Sequence, residues 1–152
     1  MVLKSDSSLM VNRKPFFIPD WCEEMRYVPC IVVRICKLGK HVATKFAERY
    51  YDYIAPALNI YAEDYRQKGD PIRAWAFDNA LPVGTFMSLD KYHPNDLILS
   101  IDQAIAEVSR LMTIRQGDLI FIERQLPSQP LVREGVLQEM VDGEEVLYCK
   151  IK

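Results

Sequence analysis

The sequence predicts an α+β fold, mostly β with two helices, and three observations predict it. Val28 to Cys36 is a short β-branched run that reads as a central strand. After Ser100 a capped apolar stripe reads as a helix, and the C-terminal segment folds back at Asp142-Gly143 as a hairpin. At 152 residues, 49% hydrophobic and 26% charged, the chain can bury one core. A single domain over residues 14–152 is expected, preceded by a loose polar segment at 1–13.

The elements follow in order. Pro15 to Asp20, Pro-Phe-Phe-Ile-Pro-Asp, is an apolar stretch between prolines and suits an edge strand or an extended entry into the core. In the strand Val28 to Cys36, the residues Ile31, Val32, Val33 and Ile35 favour extended backbone. Gly39 breaks this pattern. From His41 to Ala55, Val42, Phe46, Ala47, Tyr50 and Ile54 recur at helical spacing, so a helix ended by Pro56 is expected. Ser100 and Gln103 form a Ser-x-x-Gln capping box, and Ile101, Ala104, Ile105, Val108, Leu111 and Met112 then make one apolar stripe, which is core rather than a cofactor box. Gly117-Asp118 opens a strand over Leu119 to Ile122. Val136 to Val141 and Glu145 to Ile151 are the arms of the hairpin, because Asp and Gly tolerate the positive φ of a two-residue turn. With one helix between clear strand pairs, a doubly wound parallel sheet is not suggested.

Composition excludes several function classes. Lys plus Arg number 19 against 21 Asp plus Glu, and no run of like charge could grip a polyanion, so nucleic acid is not an expected partner. No stretch approaches the roughly 20 apolar residues of a membrane helix, and the N-terminus has no secretory layout, so a soluble, cytoplasmic protein is expected. Neither a Gly-x-Gly-x-x-Gly nor a Gly-Lys-Ser/Thr phosphate loop occurs.

Cys22, Cys30, Cys36 and Cys149 form no Cys-x-x-Cys pair, and only His41 and His93 could join them around zinc. Thiols within apolar runs behave as small hydrophobes, and a Cys/His hydrolase is the minor alternative. His41 opens the expected helix and His93 precedes Pro94, so both are read as exposed and without a partner. Trp75, Phe77 and Phe86 could line an apolar pocket, although core positions are the expectation.

A set of motifs carries a resemblance. Lys14-Pro15-Phe16-Phe17-Ile18-Pro19-Asp20, Val32-Val33-Arg34-Ile35, Gly39-Lys40, Phe46-Ala47, Arg49-Tyr50-Tyr51-Asp52, Ala76-Phe77-Asp78 and Gly117-Asp118-Leu119-Ile120-Phe121 fall in one order. In that order and spacing the chain resembles the short bacterial members of the fumarylacetoacetate hydrolase family, from Lys14 to Lys152 with a gap near Leu89 to Asp102. The resemblance implies a mixed β-roll that lacks some strands. It also implies a divalent cation, magnesium, manganese or calcium, held by carboxylates to polarise a dioxo acid and stabilise the enolate formed as a carbon–carbon bond breaks.

The positions that should do this chemistry are substituted. Val28 and Cys30 stand where the family has a Glu-x-Glu pair on one strand face, and Asn59 replaces an aspartate. Trp75 takes the place of a lysine and removes its positive charge. Glu123 and Arg124 fall in the Ile122 to Gln125 stretch, in place of a Thr-Gly-Thr-Pro loop. The family's N-terminal strand and its His-containing segment have no counterpart here, and the segment between Gly84 and the Ser100 helix is shorter. Valine offers no oxygen and a thiol suits a hard cation poorly, so no metal or other cofactor is expected unless Glu23, Glu24, Asp64, Asp78 and Glu123 rebuild a site. The bland reading of those acids is a solvated loop and, for Asp64, a polar helix face.

Three function classes remain. One is a pseudoenzyme kept for binding or assembly; the second is a metal-dependent hydrolase or decarboxylase of dioxo acids with a rearranged site. The third is a structural partner of a fuller paralogue, since relatives pair as dimers and a homodimer is expected here too. Glu23, Glu24, Glu123 and Arg124 are the candidate binding residues.

Overall fold

The computed structural model describes all residues, Met1 to Lys152. They gather into two compact units, each assembled from separated stretches of chain. The first comprises Met1–Pro29, Pro56–Thr85 and Leu126–Lys152, and the second Cys30–Ala55 and Phe86–Gln125. Two long strands, β2 (Met25–Ile35) and β3 (Tyr51–Ala62), are hydrogen-bonded neighbours and run from one unit into the other. Each carries a proline at its crossing, Pro29 and Pro56, where the ladder has no N–H to donate.

In the first unit, β1 (Leu9–Val11) pairs in parallel with β4 (Leu81–Val83), which pairs antiparallel with β3 at Ala57↔Val83. After β5, described below, the short β6 (Gln129–Pro130) pairs with the start of β2. The hairpin β7 (Val136–Val141) and β8 (Glu144–Lys150) turns at Asp142 and Gly143, whose φ angles of 48° and 80° are those a tight turn needs. The segment read as an extended entry is pinned to this hairpin by a parallel bridge, Phe16↔Ile151. Phe16, Met25, Ile60, Leu147 and Cys149 lie at the centre of one core. Two five-residue helices follow β3: α1 (Glu63–Gln67) and α2 (Pro71–Trp75). Asp64 therefore does sit on a short polar helix. The second of these helices starts in the expected chemical way, with Pro71 at its first position and the Asp70 side chain accepting the Arg73 N–H.

Residues 1–13, expected to be loose, hold a 3-10 turn at Asp6–Ser8 and the strand β1. The Ser8 side is wholly buried, and Met10 enters the core.

The second unit is built on the other half of β2. Cys30 to Arg34 pairs antiparallel with β5 (Leu119–Glu123), the strand the Gly117-Asp118 pair opens. Helix α3 (Ile101–Leu111) packs Ile101, Ile105 and Val108 into a core with Ile35, Val42, Ala47 and Ile114, with Ile105 fully buried, whereas Leu111 of the expected stripe is 61% exposed. Its capping box is complete: Ser100 accepts the Gln103 N–H, and Gln103 accepts the Ser100 N–H, both at 3.2 Å.

One expected element is corrected. The helix over His41 to Ala55 is only a 3-10 helix at Thr44–Arg49, and Tyr51 already begins β3. Ala43, its cap residue, offers no side-chain acceptor, and His41 is left-handed at φ 51°. The run Tyr50-Tyr51-Asp52-Tyr53-Ile54 is aromatic and β-branched, which favours strand once its neighbours can pair with it. Three helices and two 3-10 helices thus replace the two helices expected. No helix is long and apolar enough to cross a membrane.

Candidate functional site

The substituted positions are placed by the two long strands. Val28 is 7% exposed in the first unit, and Cys30 is fully buried in the second, directly opposite Glu123 on β5. Opposite residues of an antiparallel pair project to the same face, so the Glu123 carboxyl and the Cys30 thiol are neighbours. Asn59, on β3 in the first unit, is also fully buried. Trp75 ends α2 and stacks on Tyr61, with ring centres 4.7 Å apart and planes 29° from parallel.

A positive charge stands beside Trp75. Lys4, in the segment expected to be loose, places its Nζ 3.0 Å from the Trp75 carbonyl, 3.1 Å from that of Ile60 and 3.3 Å from that of Ala80. The same ammonium lies 5.8 Å from the Trp75 ring centre and 5.9 Å from that of Phe77. Held by three carbonyls, the Lys4 side chain is suited to fix this corner. Nothing in the sequence flags it, because its partners are backbone atoms 56 to 76 residues away.

The acids named as a rebuilt set do not meet. Glu24 pairs with Arg26 at 3.1 Å, and that guanidinium also donates to the Ser128 hydroxyl and carbonyl. Glu23 and Asp78 are exposed. Asp64 accepts the Cys22 thiol at 3.0 Å. Burial, and then this hydrogen bond, push the Cys22 thiol up to about 12; Asp64, though burial works against it, is held by the thiol and backbone N–H donors below the usual carboxylate range. Arg124 is occupied by Asp96, its Nε lying 2.9 Å from both carboxylate oxygens, and this contact holds Asp96 below its ordinary value. The stretch Ile122 to Gln125 is therefore the end of β5 tied to the Asp96–Leu97 segment, with Gln125 donating to the Leu97 carbonyl.

No three His, Cys, Asp or Glu side chains come together into a set that could hold a metal ion. A hard cation takes about six to eight oxygens. Val28, Cys30 and Asn59 offer one neutral amide oxygen among them, so the residues at the inherited positions do not fit magnesium, manganese or calcium.

The remaining candidates are placed as follows. His41 and His93 are both exposed, and His41 uses its backbone N–H on the Ser109 carbonyl. Trp75, Phe77 and Phe86 are half-buried, and Phe77 lies against the first core. Phe86 and Tyr53 instead flank Arg34, whose guanidinium is 4.6 Å from the Tyr53 ring centre and forms a two-pronged ion pair with Asp52 at 2.8 and 2.9 Å. Of the thiols in apolar runs, Cys30 and Cys149 are buried as expected and Cys36 is half-buried; Cys22 is buried as well, and no disulfide joins any of the four.

No protein-family model matches the chain. It is 22% identical over 177 aligned positions to the mouse mitochondrial oxaloacetate tautomerase FAHD1, covering 100% of this chain and 80% of the mouse protein. Among solved structures, the fumarylpyruvate hydrolase of Pseudomonas aeruginosa in complex with Mn2+ and pyruvate superposes with a TM-score of 0.83 at 19% identity, over 97% of this chain and 76% of that one. A Yersinia pestis protein assigned to the fumarylacetoacetate hydrolase family gives 0.84 at 20% identity, over 98% and 83% of the two chains. With near-complete coverage of its length and the motifs running in order from Lys14 to Lys152, the chain has the fold of the fumarylacetoacetate hydrolase family.

Proposed function

We propose that this chain is a noncatalytic member of that family, a pseudoenzyme that keeps the fold for binding or assembly. The observation that carries the reading is the donor set: a valine, a buried thiol and a buried amide at the three positions where hard-cation chemistry requires carboxylates. Without the cation there is no electrophile to polarise a dioxo acid and nothing to take up the charge of an enolate. Lys4, bound by three carbonyls, supplies charge to the Trp75 corner. Arg124 is committed to Asp96, so the stretch in place of the substrate-carboxylate loop is closed on itself.

The test is turnover of oxaloacetate and fumarylpyruvate, the substrates named for two of the relatives, with magnesium or manganese present. The proposal expects rates at the uncatalysed level, and saturable metal-dependent turnover would overturn it. A second reading, a metal-dependent hydrolase or decarboxylase with a rearranged site, draws support from Glu123, which restores a carboxylate beside Cys30. Under that reading Glu123→Gln would abolish a metal-dependent activity that the wild type displays. An assembly role would show in the subunit mass of the purified protein or in a co-purifying paralogue.

A further inference from the structure

The second unit holds a cleft of about 340 Å³ that none of the family-equivalent positions enters. Its lining joins the apolar Leu89, Leu97 and Ile101 with the polar Tyr51, His93 and Asp102. The lining contains one carboxylate and no lysine or arginine. Tyr51, the first residue of β3, is half-buried, and its hydroxyl donates to Asp102 Oδ1 at 3.3 Å. Asp102 lies in the first turn of the eleven-residue α3, where the helix dipole favours its negative charge.

The same helix end disfavours an anion. The capping box already engages the Gln103 and Ser100 N–H groups, and the Asp102 carboxylate repels a second negative charge. Burial, followed by the nearby Asp102 and Glu48 charges, pushes the Tyr51 phenol up to about 12, so its hydroxyl is neutral and lies beside the Asp102 carboxylate.

We propose that this cleft binds a small organic ammonium: a primary amine whose charged group rests against the Asp102 carboxylate and the Tyr51 oxygen, with an apolar body on Leu89, Leu97 and Ile101. The volume is at the lower end of the roughly 300–1,000 Å³ of small-molecule sites, which suits a ligand of one ring or a short chain. A charge-assisted contact to a half-enclosed carboxylate supplies orientation, and the apolar walls supply most of the contact area. The site stands whether or not the chain retains metal chemistry, and it deepens neither reading of the inherited positions.

The experiment titrates the ¹⁵N-labelled full chain with benzylamine, and separately with benzoate and benzyl alcohol as probes of equal size and different charge. The proposal expects saturable amide shifts at Tyr51, Leu97 and Ser100 to Asp102 with benzylamine, and none with benzoate. Asp102→Asn, which keeps the shape and the helix position, should weaken benzylamine by at least about tenfold, the scale of a lost charged hydrogen bond. Absence of saturable shifts with benzylamine overturns the proposal, as does benzoate or benzyl alcohol binding equally well. Unchanged affinity in Asp102→Asn, with its spectrum otherwise native, overturns it too, and the wild-type charge comparison decides alone if that variant does not fold.

Discussion

Glu63 is the charged residue among the buried polar groups, and its removal has a pH signature that follows from its contacts. Its carboxylate receives Arg66 Nε and Nη2 at 2.6 Å each and Gln67 Nε2 at 3.0 Å. The Arg66 contacts, with Gln67 adding to them against the cost of burial, lower it from 4.5 to about 2. At 1.36 kcal/mol per pH unit that difference corresponds to about 3 kcal/mol. The Arg66 side chain is 49% exposed, so water screens the pair, and about 1–2 kcal/mol is the contribution we expect. A carboxylate held below its ordinary value stabilises the fold above about pH 4.5, and that stabilisation is lost as pH falls toward 2. Urea unfolding of wild type and Glu63→Gln should therefore differ by about 1–2 kcal/mol at pH 7, the variant being weaker, and by less than about half of that at pH 3. An equal difference at both pH values, or no difference at pH 7, would refute the reasoning.

Three further outcomes follow from single contacts. Gly84→Ala should destabilise the fold by about 1–3 kcal/mol in thermal unfolding, because a Cβ there would run into the Val146 carbonyl oxygen and stand 2.9 Å from Pro56 Cγ. Ser100→Ala, which leaves the Gln103 N–H without its cap, should cost about 1 kcal/mol, read as a lower unfolding midpoint with helix content retained at 25 °C. Ellman's reagent at pH 8 should label one thiol per native chain, Cys36, and all four in denaturant, since burial raises Cys149 to about 11 and Cys22 to about 12 while Cys30 has no exposed surface.

What the sequence discloses is local chemistry. The α3 start was legible because Ser100 and Gln103 are three residues apart and need only each other. The β7–β8 hairpin was legible because Asp142-Gly143 sets its own turn, and β5 because Gly117, at φ 93°, marks its entry. The stretch Val42 to Ile54 misleads because its apolar residues satisfy a helical spacing in isolation. Its strand identity depends on partners such as Met87, which exchanges two backbone hydrogen bonds with Ile54 from 33 positions away. At the candidate site, the chemistry of Val28, Cys30 and Asn59, unlike what a cation needs, is legible from residue type alone. The contacts nearby are not: Lys4 reaches Trp75 through a backbone carbonyl, and Arg124 meets Asp96 across 28 positions, neither of which leaves a motif.

Whether the positions around Val28, Cys30 and Asn59 hold a cation decides between the noncatalytic and the metal-dependent readings. The most direct measurement is thermal unfolding of the purified chain with and without magnesium, manganese and calcium, because a ligand specific for the native state raises its stability by about 2.7 kcal/mol at a hundredfold excess over its dissociation constant. An unchanged midpoint with all three ions at millimolar concentration is the result predicted. A saturable upward shift with any of them, lost in Asn59→Ala or Glu123→Gln, would contradict it.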